Sequence, residues 1–127
     1  MKENSIAKHV VDAAFQVHQK LGPGLLESVY EKVLGYELGK RGYSIQRQKA
    51  IPITYDTLVF DEGFRADIIV EDTVIIELKS VESIQPVHKK QLLTYLRLTD
   101  KKLGLLINFG SALIKDGIFR VVNGLPE

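Results

Sequence analysis

The sequence contains no cysteine. That absence excludes a disulfide framework and every thiolate metal centre, so any bound metal would take oxygen or imidazole ligands. Also missing is any apolar run near the roughly 18–20 residues of a membrane span. The opening Met1-Lys2-Glu3-Asn4-Ser5 leads into an amphipathic segment with no secretory apolar core. A cytoplasmic protein without membrane contact is the expectation. Charge of one sign is not in excess either: 17 Lys and Arg stand against 16 Asp and Glu, a net charge of +1. Nothing global therefore attracts nucleic acid, and a phosphate-binding surface would have to be local, built from groups such as Arg47, Lys49, Arg65 and Lys79. With no repeat, low-complexity tract or linker, the 127 residues read as one domain, 1–127. A hydrophobic fraction of 45% and a charged fraction of 26% suit a globular chain with a real core.

Periodicity divides the chain into helices, strands, a helix and strands. Ile6, Val10, Ala13, Ala14, Val17 and Leu21 recur at helical spacing after a cap at Asn4 or Ser5, and Gly22-Pro23-Gly24 ends that run. Leu26, Val29, Tyr30, Val33, Leu34 and Leu38 mark a second helix that stops by Gly42. Strands are expected at Tyr43 to Gln48, Ile51 to Tyr55, Phe64 to Val70 and Val74 to Lys79, with turns at Asp56-Thr57 and Asp61-Glu62-Gly63. Pro52 calls for an edge or a bulge. Pro86 opens a third helix running to about Leu98, followed by strands at Leu103 to Asn108 and Ile118 to Val122.

Ionised groups interrupt this apolar pattern at one place. Asp67 lies within Phe64 to Val70, and Glu77-Leu78-Lys79 ends the next strand. Burying such charges costs several kcal/mol unless they are paired or hold a metal. Glu77 and Lys79 share a strand face, roughly 6.5–7 Å apart. A tight turn at Glu71-Asp72 would bring Asp67 close to Glu77. The plainer reading is an exposed Glu–Lys pair worth about 0–1 kcal/mol; Val74-Ile75-Ile76 argues for an interior strand instead.

Two helical groupings accompany the triplet. Gly24, Glu27 and Tyr30 are spaced G-x-x-E-x-x-Y, which puts Glu27 and Tyr30 on one face near the helix start. Taken alone, Glu27 suits the positive end of the helix dipole and Tyr30 suits the core. His88, Gln91 and Tyr95 fall within roughly 60° of the third helix's circumference. They form either a helix flank or the wall of a site for a polar substrate.

Asp67 followed by Glu77-x-Lys79 resembles the signature of the PD-(D/E)XK nuclease superfamily, and Gly24-x-x-Glu27-x-x-Tyr30 is similar to the motif of its GxxExxY family. Gln91-x-x-x-Tyr95 resembles the helical motif of the superfamily's recombination-nuclease branch. Ala66 stands where the superfamily's name has proline, a position without a chemical role. The resemblance implies an α/β fold with a mixed sheet, an αβββαβ core and an additional N-terminal helix. It also implies a metal-dependent nuclease hydrolysing phosphodiester bonds in DNA or RNA.

On that footing Mg²⁺ or Mn²⁺ would be held by Asp67, Glu77, the backbone carbonyl of Leu78 and Glu27, and Lys79 would sit beside the attacking water. Asp67, Glu77, Lys79 and Glu27 are thus the expected catalytic set. Tyr30, Gln91, Tyr95 and His88 are the expected substrate-positioning set, although an exposed or capped histidine is the commoner case. A non-catalytic nuclease-fold module binding nucleic acid or a protein stays open, as does a small-molecule phosphodiesterase. A homodimer or a protein partner stays open too.

Overall fold

The computed structural model describes residues 2–126. Two helices come first, α1 (Lys2–Leu21) and α2 (Glu27–Lys40), then strands β1 (Ile45–Tyr55), β2 (Leu58–Val70) and β3 (Val74–Lys79). Helix α3 (Pro86–Thr99), β4 (Leu103–Asn108), a 3-10 turn (Ile114–Gly117) and β5 (Ile118–Val122) complete the chain. The sheet order is β1-β2-β3-β4-β5, antiparallel except for β3 and β4, which run parallel through the α3 crossover. This is the mixed sheet expected, with the αβββαβ core running from α2 to β4 and α1 added before it.

Each sheet face is covered. Val74, Ile76 and Leu78 of β3 pack with Val10, Ala14, Tyr30, Leu34 and Leu38 of α1 and α2, while Ile75 packs with Leu92 and Leu96 of α3. Strand alternation then puts Glu77 and Lys79 on the α3 side. A parallel neighbour and helices on both faces explain why β3 is nearly continuous in apolar residues. Close approach fixes α3: a Cβ on Gly104 of β4 would lie 2.9 Å from Leu92 Cδ1.

Three boundaries differ from the sequence pattern. Tyr43 to Gln48 and Ile51 to Tyr55 are one strand, β1, and Asp61-Glu62-Gly63 is a bulge inside β2, not a turn. Ile51 pairs with Phe64 and Ile53 with Phe60, so the bulge stands opposite Pro52, which has no N–H to give a partner. Helix α1 is already formed at Lys2, and Asn4 is not its cap: its side chain accepts a hydrogen bond from Arg120 of β5 at 2.6 Å. The Asp56-Thr57 turn and the Pro86 helix start stand as expected.

Alternation slips once along β2. Phe64 and Ala66 pack with Ile69 on the α3 side, whereas Ile68 and Val70 pack on the α1–α2 side. The slip falls at Asp67. Opposite it in β1, Gln48 has a left-handed φ of 50° and is skipped in a pairing that runs Arg47↔Ile68, then Lys49↔Ala66.

Candidate active site

Strands β2 and β3 leave a tight turn in which Glu71 and Asp72 are both left-handed, φ 53° and 51°. They pair from Val70↔Val74 to Ile68↔Ile76 and then separate. Two carboxylates fill the opening. Glu77 Oε2 accepts the Asp67 backbone N–H at 2.8 Å, and Asp67 Oδ2 accepts the Leu78 backbone N–H at 2.9 Å. Each acid takes a backbone donor that the diverging ladder would otherwise leave unpaired.

Burial makes these acids hard to ionise together. Glu77 is 8% exposed, and its carboxyl is pushed up to about 8, first by burial and then by the charge of Asp67; the Asp67 N–H and Lys79 oppose the rise. Asp67 is raised for the same first reason, with the Leu78 N–H opposing and the charges of Glu31 and Glu27 adding to it. Among the described residues no cationic side chain forms an ion pair with either acid. Lys79 is close enough for its charge to be felt at Glu77, yet its ammonium forms no ion pair among the described residues.

A third acid reaches this spot from α2. Glu31 is buried at 6% exposure; Arg47 Nη1 donates to its Oε2 at 2.9 Å and Gln48 Nε2 to its Oε1 at 2.5 Å. The same Gln48 amide nitrogen lies 3.3 Å from Asp67 Oδ1. The charge of Glu31 weighs on both Asp67 and Glu77, while that of Glu27 reaches Asp67 only. Glu27 itself is exposed, one turn earlier on the helix.

The remaining expected residues divide. Tyr95 borders the site: its ring stacks on Phe64 with centroids 3.8 Å apart, and burial followed by the charges of Glu77 and Asp67 raises its hydroxyl. Gln91 is exposed one turn away on the same flank. His88 is occupied in capping, its Nδ1 accepting the Gln85 N–H at 3.0 Å. Tyr30 is 0% exposed and stacked on Phe109; its hydroxyl donates to Gly22 O at 2.5 Å and accepts from Leu25 N–H at 3.1 Å. That hydroxyl secures the loop leading into α2 and so sets where the helix's acids stand.

A family model of the PD-(D/E)XK nuclease superfamily matches residues 4–121. The chain belongs to that superfamily. Asp67 and Glu77-x-Lys79, whose spacing resembles the superfamily signature, lie within the matched residues and stand at the parting of β2 and β3. The search of curated proteins finds no relative.

Superfamily members typically use divalent metals, and the donor set here suits one. Among the described residues no three His, Asp or Glu side chains converge to enclose an ion by themselves. The two carboxylates nevertheless match the few protein ligands that Mg²⁺ takes when water and substrate phosphate complete its octahedron. A buried and a half-buried acid that repel one another, with no ion pair among the described residues, also gain most from a cation. Glu31 is the residue that motif reading passes over. Its signal was present: with Tyr30, Leu34 and Leu38 it lies on the buried stripe of α2, where a charge needs a reason.

Proposed function

We propose that this protein is a divalent-cation-dependent nuclease of the GxxExxY family, hydrolysing phosphodiester bonds in DNA or RNA. The observation that carries the reading is the reciprocal pair of Glu77, buried, and Asp67, half-buried, each accepting a backbone N–H from the other's strand and neither ion-paired to a cationic side chain among the described residues. Asp67, Glu77 and the carbonyl of Leu78 would hold the cation, with Glu31 and Glu27 adding negative charge around it. Bound there, Mg²⁺ or Mn²⁺ would acidify a water and neutralise charge on the phosphate.

The chain's own groups do the rest. Lys79, on the same strand face as Glu77, orients the attacking water and stabilises the developing negative charge as an ammonium. Tyr95, fixed by its stack on Phe64, and Gln91 one turn away offer donors to the substrate phosphate. Among the described residues no helix is long and apolar enough to cross a membrane.

Purified protein should degrade a labelled single- or double-stranded nucleic acid in Mg²⁺ or Mn²⁺. Chelator or Glu77→Gln should abolish cleavage while circular dichroism shows the fold intact. Equal cleavage by Glu77→Gln overturns the assignment, and binding without turnover in every metal tested favours the non-catalytic module.

A further inference from the structure

We propose that Gln48 is a positioning residue that tethers Glu31 to Asp67 and thereby fixes the direction in which Asp67 offers its carboxylate to a cation. The inference deepens the proposed function and rests on it for the identity of the ligand. Four observations converge on Gln48. It is the one β1 residue with positive φ, 50°, a left-handed conformation that strains a non-glycine residue. The β1–β2 ladder omits it, freeing its backbone from regular pairing. Arg65 Nη1 donates to its carbonyl at 3.0 Å and holds the distorted turn of chain in place. Finally, its side-chain amide nitrogen stands between two acids, 2.5 Å from Glu31 Oε1 and 3.3 Å from Asp67 Oδ1.

Chemistry sets the orientation. An ionised carboxylate only accepts, and an amide has two N–H donors, so one NH₂ serves both acids. The tether is anchored at each end: Arg47 grips the far oxygen of Glu31 at 2.9 Å, and the Leu78 N–H grips the far oxygen of Asp67 at 2.9 Å. With both of its oxygens held, Asp67 cannot swing toward solvent, and its remaining lone pairs keep a fixed bearing. A strained backbone thus places an amide where an unstrained strand residue would alternate away.

Gln48→Gly separates this role from a merely structural one, because glycine relieves the left-handed backbone while deleting the amide. The variant should remain folded, with a guanidinium midpoint equal to or above the parent's, yet bind Mn²⁺ roughly 10–100-fold more weakly by calorimetry. Without metal, the Gln48 side-chain amide protons of the parent should be displaced and exchange-protected in NMR spectra, and both Glu31→Gln and Asp67→Asn should move them. Mn²⁺ affinity in Gln48→Gly within twofold of the parent's overturns the proposal, as do amide protons that ignore both substitutions. A parent that takes up no Mn²⁺ overturns the cation site itself; the metal-free amide spectra then decide the tether independently.

Discussion

Replacing Glu77 by Gln keeps an acceptor for the Asp67 N–H and removes the one group whose ionisation conflicts most with its surroundings. In the folded chain this carboxyl titrates at about 8 against a usual 4.5. The folded value lies above the unfolded one, so the stabilisation from holding that proton is complete below pH 4.5 and disappears as pH rises through 8. Between these limits the folded state binds one more proton than the unfolded chain, and stability falls by about 1.4 kcal/mol per pH unit. From about pH 5 to pH 8 the loss is roughly 3–4 kcal/mol, a large part of a small domain's total. Guanidinium unfolding in chelator, repeated at unit steps across that range, reads the slope directly. Parent stability should drop steeply, whereas Glu77→Gln should retain only the shallower dependence due to Asp67 and overtake the parent above about pH 8. Saturating Mn²⁺ should flatten the parent's curve, because the cation takes the proton's place. Parallel curves for the two proteins in chelator would refute the reasoning.

Lys79→Met should leave Mn²⁺ binding measurable by calorimetry while lowering turnover roughly 10²–10³-fold; undiminished cleavage would remove Lys79 from the chemistry. Tyr30→Phe deletes a hydroxyl that bonds both Gly22 O and Leu25 N–H. It should cost about 1–2 kcal/mol of stability, read by guanidinium unfolding. Amide exchange should rise at residues 22–26 first, and an unchanged loop would count against the anchoring role.

Legibility in the sequence followed the strength of the physical constraint. The pairing of Asp67 with Glu77 could be read because charges inside Phe64 to Val70 and Val74 to Lys79 violate an apolar pattern, and because Glu71-Asp72 leaves room only for a tight turn. Helix α1, whose apolar residues keep helical spacing, and β4, a short unbroken apolar run, were equally visible. The union of two strand segments into β1 was not, since Lys49 and Ala50 carry no strand signal and are held in the strand by pairing with Ala66 and Arg65 of β2. Nor could the bulge at Asp61 to Gly63 be told from a turn: Gly beside Asp and Glu suits both, and only the partner Pro52 decides. Glu31 was hidden by the more recognisable Glu27 one turn earlier. Gln48 had no local signature, because its left-handed backbone and its two acid contacts come from distant residues.

The acids that cap the parted strands have a consequence for how inactive variants should be made. Asp67 and Glu77 each supply an oxygen to the other's strand, so removing a side chain outright exposes a main-chain donor at the root of the sheet. Alanine at either position should therefore fray the ends of β2 and β3 and speed deuterium uptake there, mimicking lost activity through lost architecture. The isosteric amides spare the scaffold, and only they isolate charge from shape.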